Sequence, residues 1–180
     1  YFIYIGVEDA GQRVGVVASL PTAGESASPT VAKNAHARMT QLCGLAEKGK
    51  IAPLIMVDNE KIKKLYPKLT VKKFWTTINN TVAGLFHVFN VLANKDSEYT
   101  TFDATDYDSI MRQPGCMIMG VTSVKDVDSE TAISNALKKN LEKTLLAEGF
   151  DLTTATGAAC IVVGGEVLFE ETVGLMDSIE

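Results

Sequence analysis

Residues 14–20 read VGVVASL and residues 52–57 read APLIMV, and these two runs with the segment between them decide the fold. Each run is short, apolar and rich in β-branched residues, which predicts a buried strand. Between them a helical pattern runs from Thr30 to about Gly49, with apolar residues on one face (Val31, Ala35, Met39, Leu42, Leu45, Ala46). Strand, helix and strand at this spacing form a βαβ unit, so we expect an α/β protein whose parallel sheet binds ligands at the strand C-termini.

Beyond this unit, Thr70 is the expected N-cap of a helix that runs to about Ala93. Its apolar residues cover most of the circumference, which predicts a spine buried between two bodies. Residues 22–29 are expected to form a loop. Further along, we expect helices over 105–111, 129–147 (with Ser129 as N-cap) and 170–179, strands over 115–121 and 156–163, and a turn at Gly164-Gly165.

Composition narrows the class of protein. The 180 residues are 46% hydrophobic and 22% charged, as is usual for a globular domain. A net charge of −5 without a basic stripe argues against a nucleic-acid partner. No apolar run approaches the ~20 residues of a membrane span. Residues 1–6 are apolar but lack the basic leader of a signal peptide, and we interpret them as a strand of a larger protein.

The cysteines and histidines carry no recognisable metal or catalytic pattern. Cys43, Cys116 and Cys160 are widely spaced, odd in number and set in apolar surroundings. This pattern predicts reduced, buried thiols in a cytoplasmic protein, without a disulfide framework or a metal site. His36 and His87 lie on predicted helices without partners at ligand spacing.

Two pairs of polar side chains indicate nucleotide chemistry. Trp75 and Asn79 are four residues apart on a predicted helix, so the indole and the carboxamide share a face, as a purine clamp requires. Asp103 and Asp106 are spaced so that both carboxylates point the same way on a helical turn. The alternatives are that Trp75 belongs to a core and that the aspartates cap the following helix.

Four segments in collinear order resemble motifs of the tubulin/FtsZ superfamily of GTP-driven filament proteins, from about Val14 onward. Residues 58–60 (DNE) resemble the guanine-contacting segment that follows a strand in tubulin. Residues 75–84 (WTTINNTVAG) are similar to the start of the central helix, with its stacking aromatic residue and base-reading Asn. Residues 101–106 (TFDATD) resemble the acidic loop after that helix, and residues 115–120 (GCMIMG) the strand beyond it.

This resemblance implies a partial nucleotide-binding domain over 1–69, a central connecting helix over 70–94 and an incomplete C-terminal activation domain over 95–180. It implies that GTP or GDP with Mg²⁺ is bound through Asn59, Trp75 and Asn79, and it makes Glu25 a further candidate. Asp103 and Asp106 would act as catalytic residues on the GTP of the neighbouring subunit in a head-to-tail cytoskeletal filament, of the kind that serves cell division.

The chain departs from the family in two respects. A Gly-rich phosphate loop of the GGGTGTG type does not occur in the sequence, so we expect the phosphate-binding half to lie outside it. Thr101 replaces the leading Asn of the acidic loop, and Asn80 stands where FtsZ proteins usually have Asp. Two other interpretations therefore stay open: a non-catalytic tubulin-like scaffold or protein-interaction module whose second half binds a partner protein, and an unrelated small-molecule-binding α/β domain.

Overall fold

A three-stranded mixed sheet organises the first part of the protein. The computed structural model describes residues 2–5, 13–68, 70–97, 101–125, 131–143 and 151–164. The strands are β1 (Phe2–Ile5), β2 (Gly15–Leu20) and β3 (Leu54–Asp58), in the order β1-β2-β3. β1 runs antiparallel to β2, whereas β3 runs parallel to it with Leu20 opposite Asp58. The C-termini of β2 and β3 therefore lie side by side.

Helices make up most of the remaining regular structure. Two helices connect β2 to β3, and three follow β3 before a further helix and a short 3-10 turn. Their bounds are α1 (Ala23–Ser26), α2 (Pro29–Glu47), α3 (Asn59–Leu65), α4 (Val71–Leu92), α5 (Ala104–Met111), α6 (Ala132–Lys143) and the 3-10 helix Leu152–Thr154. By compactness, the chain divides into one unit that contains β1 to α5 and a second that contains α6. The predicted three-part domain division stays a prediction.

The two faces of the sheet pack against different helices because side chains alternate along a strand. One face carries Val16, Ala18 and Leu54 and is covered by α2. The other face carries Val17 and Val57 and is covered by α3 and α4 through a small group of apolar side chains (Ile62, Phe74, Ile78, Val82). Leu54 and Ile62 are completely buried. The parallel βαβ unit predicted from residues 14–57 is thus confirmed, with helices on both faces.

The helix predicted from Thr70 to Ala93 is confirmed as α4. The side chain of Thr70 accepts a hydrogen bond from the backbone N–H of Lys73, as an N-cap does. The burial of this helix differs from the prediction, because Trp75 and Val91 are 42% exposed and only Ile78 is below 9% among its described side chains. One apolar stripe contacts the sheet, and the wider apolar circumference does not make α4 a spine buried on every side.

Two predicted strands are wrong. Residues 115–121 are irregular, apart from a single bridge between Cys116 and Leu54. At the end of this segment, the carbonyl of Val121 accepts a hydrogen bond from the side-chain amide of Asn140. Residues 156–163 are also irregular, and residues 156–160 are exposed. An apolar β-branched run forms a strand only where a neighbouring strand offers a ladder.

Smaller differences concern the loop after β2 and the last helices. Within the expected loop, Thr22 and Glu25 form a capping box that closes the single turn of α1. Residues 132–143 of the predicted helix over 129–147 are helical, while its ends, including Ser129, lie outside the described residues, as do Gly165 and the predicted helix over 170–179. Among the described helices, none combines the length and the apolar composition that a membrane span requires.

Candidate functional site

The C-termini of β2 and β3 bring together a polar group that we call the strand-edge cluster: Thr22, Glu25, Asp58, Asn59 and Glu60. The first two belong to the turn after β2 and the others to the turn after β3. A hydrogen bond of 2.8 Å from the backbone N–H of Ala23 to Oε2 of Glu60 joins the two turns. In an α/β sheet this edge is where ligands bind, since helices begin there with unpaired N–H groups.

Asn59 is the unusual member of the strand-edge cluster. It is the first residue of α3 and is only 4% exposed, the one buried polar residue of the described core. Its Oδ1 has no hydrogen-bond partner among the residues that the structure describes. Leaving a buried carboxamide oxygen without a hydrogen bond costs roughly 1–3 kcal/mol. Because this oxygen has almost no exposed surface, a ligand contacts it only if the Asn59 side chain turns outward.

The acidic side chains of the cluster are held by local contacts. Oε2 of Glu25 accepts from the backbone N–H of Thr22 at 2.8 Å and from its hydroxyl at 3.0 Å. These two hydrogen bonds lower the pKa of Glu25, which keeps it ionised. Asp58 caps α3 by accepting from the backbone N–H groups of Glu60 and Lys61 at 2.9 and 3.0 Å. The predicted nucleotide contact of Glu25 stays a prediction beside this capping role.

Trp75 and Asn79 share an exposed face of α4, as the i, i+4 spacing predicts. Trp75 is 42% exposed and Asn79 is also exposed. Phe74, which packs toward the sheet, contacts the Trp75 ring edge-to-face with the centroids 5.3 Å apart. Trp75 is therefore an exposed residue of α4 and does not belong to the buried core.

Asp103 and Asp106 form a second group, which we call the acidic turn. Asp103 is the N-cap of α5 and accepts from the backbone N–H groups of Thr105 and Asp106 at 2.7 and 3.0 Å. Asp106 returns the contact by accepting from the N–H of Asp103 at 3.2 Å, which completes a capping box. The hydrogen bonds from Asp106 and Thr105 lower the pKa of Asp103. The capping alternative is thus confirmed for both residues.

The residues next to the acidic turn tie it to the rest of its unit. The ring of Tyr107 stacks on Phe89 of α4 with centroids 6.1 Å apart and meets the edge of Phe102 at the same distance. Asp108 forms ion pairs with Arg13, just before β2, and with Arg112 at 2.6 Å. The turn is therefore exposed but held from two sides.

The structure groups the predicted site residues into three places. Asn59 and Glu25 lie in the adjoining segments after β3 and β2, Trp75 and Asn79 share a face of α4, and the two aspartates cap α5. Sequence reasoning did not assign Glu60 a role, although it joins the turns after β2 and β3. Its position in the first turn of a helix that follows a strand was the available signal.

No group of three or more His, Cys, Asp and Glu side chains suited to a metal ion occurs in the part of the chain that the structure describes. One prediction about the cysteines is wrong, because Cys160 is exposed whereas Cys43 and Cys116 are half-buried.

Comparison with protein-family models, with curated proteins and with solved structures finds no match for this chain.

Proposed function

We propose that this chain is part of a GTP-binding, GTP-hydrolysing filament protein of the tubulin/FtsZ type. Asn59, Trp75 and Asn79 contact the guanine nucleotide, and the acidic turn acts on the nucleotide of the next subunit. In this proposal β2, β3 and their helices are the rear part of the GTPase domain and α4 is its central helix. The resemblance of the four sequence segments gives the proposal its family.

The observation that carries the proposal is the buried, unpaired Oδ1 of Asn59 at the carboxyl edge of two parallel strands. An acceptor in this position is suited to a ligand that presents N–H or O–H donors. A guanine base offers N–H donors and its ribose offers hydroxyl groups. Glu25 and Glu60 add acceptor oxygens from the adjoining turns, which favours the donor-rich base and ribose over the phosphates.

Trp75 and Asn79 supply the remaining base contacts. The indole covers one face of a purine, while the carboxamide has a donor and an acceptor to pair with the base edge. Ile78, the residue before Asn79, is buried in one cluster with Val57. The packing of Ile78 fixes the rotation of α4 about its axis, so that the stacking face is held in one orientation.

Distance along α4 supports an action of the acidic turn between subunits. Tyr107, directly after Asp106, stacks on Phe89, which is 14 residues from Trp75. At 1.5 Å per residue this separation is about 21 Å along the helix axis. A nucleotide stacked on Trp75 does not reach a turn that far away, whereas the nucleotide of a neighbour in a head-to-tail filament can.

The role of the acidic turn in the proposed reaction is to orient water. Asp103 and Asp106 are exposed, and their carboxylates accept hydrogen bonds from a water molecule directed at the neighbour's γ-phosphate. Mg²⁺ in such a site is held mainly by the phosphates and water, as is usual for this ion.

The second candidate function is a tubulin-like scaffold without catalysis. It is favoured by the capping box, which accounts for both aspartates without any chemistry. The two candidate functions differ in one measurable property, which is the binding of a guanine nucleotide to the Trp75 and Asn79 face of α4. The scaffold does not require this binding.

The test uses the fluorescence of Trp75, the only tryptophan among residues 1–180. In the complete gene product, titration with GDP is expected to quench saturably the part of the fluorescence that a Trp75→Phe variant lacks, whereas cytidine diphosphate does not. Asn79→Ala and Asn59→Ala are each expected to weaken GDP binding on the order of tenfold, the value of one to two hydrogen bonds.

Asn80→Ala is the matched control, because Asn80 is the adjacent exposed Asn of the same helix and lies off the Trp75 face. Equal affinities for GDP in the Asn79→Ala and Asn80→Ala proteins, or equal quenching by both nucleotides, contradict the guanine assignment. In residues 1–180 alone, guanosine and GTP are expected to bind with similar, weak affinity, because the sequence contains no Gly-rich phosphate loop.

A further inference from the structure

Two cysteines that are 73 positions apart in sequence lie near each other at the end of α2. The backbone N–H of Gly115 donates to the carbonyl of Ala46 at 3.2 Å, which places the residues after α5 against the last turns of α2. Cys43 is one helical turn before Ala46 and on the same face. Cys116 follows Gly115, so this hydrogen bond brings Cys116 beside the last turns of α2, and the nearby Cys43 thiol contributes to the raised pKa of Cys116.

Both thiols are held in place by the core. Cys43 and Cys116 pack against the same buried cluster, which includes Leu54 and Ala46. The backbone of Cys116 is fixed by its bridge to Leu54 and by the 2.8 Å hydrogen bond from Met117 N–H to the Leu54 carbonyl. The two cysteine side chains therefore lie in the same packed region of the core.

Solvent reaches Cys43 through an open groove beside α2. The groove has a volume of about 530 Å³, and Cys43 is part of its wall. Its other lining residues are Leu20, Met39, Thr40, Gly44, Glu47 and Met56. A small oxidant therefore has access to Cys43 without unfolding of the core.

We propose that Cys43 and Cys116 form a thiol modification site, in which a peroxide oxidises the pair to an intramolecular disulfide. The Cys43 sulfur attacks one peroxide oxygen, the O–O bond breaks, and Cys43 becomes a sulfenic acid as one water leaves. Cys116 then attacks this sulfur, the S–O bond breaks, and its hydroxide leaves with the Cys116 proton as a second water. Two thiols and one hydrogen peroxide thus give one disulfide and two waters.

The surroundings assign the order of the two steps. Burial, the neighbouring Cys43 thiol and the charge of Glu47 raise the pKa of Cys116 to about 11, so Cys116 stays protonated at neutral pH. Cys43 faces the groove and meets the oxidant first, while Cys116 is the resolving thiol. The product ties α2 directly to the segment that follows α5, independently of the proposed nucleotide chemistry.

The test is oxidation of the folded full chain with hydrogen peroxide, followed by alkylation of the remaining thiols and peptide mapping without reduction. We expect trypsin to release residues 39–48 joined to residues 113–125, at a mass about 2 Da below the sum of the two peptides. Exposed Cys160 serves as the internal control and is expected in unpaired peptides. The oxidised chain is expected to melt on the order of 5 °C higher, since the disulfide closes a long loop.

Variants and denaturation complete the design. Cys43→Ser and Cys116→Ser abolish the joined peptide and the rise in melting temperature, whereas Cys160→Ser retains both. Denaturation in urea before oxidation removes the preference for the Cys43–Cys116 pair. Recovery of Cys43 and Cys116 as separately alkylated or separately oxidised peptides from the folded wild-type chain overturns the proposal.

Discussion

The strand-edge cluster and the acidic turn use the same local device with different results. In each, an aspartate caps a helix by accepting two backbone N–H groups: Asp58 for α3 and Asp103 for α5. They differ at the next residue, because Asn59 is buried without a partner for Oδ1 while Ala104 is exposed and has no polar side chain. Helix capping explains the positions of Asp58 and Asp103, but it does not explain the unpaired Oδ1 of Asn59.

Because of this difference, the two regions call for different functional measurements. A buried polar atom without a partner carries a free-energy penalty, which holds for Oδ1 of Asn59 and also for the Tyr107 hydroxyl that follows the acidic turn. An exposed carboxylate with satisfied hydrogen bonds carries no such penalty. The proposed action of such a carboxylate on nucleotide involves a neighbouring subunit, so it is measured on the assembled protein.

The largest expected effect concerns Asp106 and hydrolysis. In the complete gene product, Asp106→Asn keeps the side-chain size and an acceptor for the N–H of Asp103 but removes the charge. If Asp106 orients water on a neighbour's nucleotide, GTP turnover falls by a factor of ~10² or more, while GTP binding stays nearly unchanged. Filaments are expected to persist longer. The measurements are phosphate release, nucleotide affinity and sedimentation.

A mixing experiment separates action between subunits from action within one. Asp106→Asn subunits are combined with Trp75→Ala subunits, which have an intact acidic turn but a weakened pocket. Partial recovery of GTP turnover is expected, because some junctions then pair an intact pocket with an intact turn. Full turnover in Asp106→Asn alone refutes the catalytic assignment and favours the scaffold.

A smaller effect, of opposite sign to most mutations, is expected at Asn59. Asn59→Leu has a similar volume and removes the unpaired buried oxygen, so the free energy of unfolding should rise by about 1 kcal/mol. GDP affinity is expected to fall in the same protein. The exposed Asn79→Leu is the control and should change stability by less than about 0.5 kcal/mol. Urea unfolding of the three proteins measures the effect.

A loss of more than about 1 kcal/mol in Asn59→Leu leads to a different conclusion. The carboxamide is then paired within the fold, and Asn59 does not indicate a ligand. The acidic turn is then left without a predicted nucleotide pocket in its own chain.

The sequence predicted the elements that local periodicity controls. β2, α2, β3 and α4 lie where the apolar patterns place them, because each buries a stripe against a neighbour close in sequence. The strands expected over 115–121 and 156–163 failed because a strand depends on a partner, and the pattern of a single run does not contain one. The wide apolar stripe of α4 likewise does not reveal that Trp75 and Val91 stay exposed.

The candidate site also has features that local sequence determines and features that depend on distant segments. The spacing of Trp75 and Asn79 was sufficient to predict a shared face, since helix geometry alone decides it. The proximity of Cys43 and Cys116, and the burial of Asn59, depend on how distant segments pack. The capping box of Asp103 and Asp106 was readable from the sequence, but the stacking of Tyr107 on Phe89 was not.

The smallest expected effect tests what the acidic turn contributes as a cap. Asp103→Ala removes both capping hydrogen bonds and should lower the melting temperature by a few degrees at neutral pH. Asp103→Asn retains an acceptor at the N-cap and should lose much less. GTP turnover is expected to fall in both variants, because both lack the charge of Asp103, whereas the melting temperature falls mainly in Asp103→Ala.

Acid should remove the advantage of the wild-type carboxylate over Asp103→Asn. The hydrogen bonds from Asp106 and Thr105 lower the pKa of Asp103 in the folded state below its unfolded value of about 3.9. The stabilisation is therefore fully present above that value and is lost as the pH falls through the folded pKa. Thermal melts from pH 7 to about pH 2.5 should show the two proteins converging at the acid end. A difference that is constant over this range means that the cap depends on geometry alone, and the charge of Asp103 is then left to the neighbouring subunit.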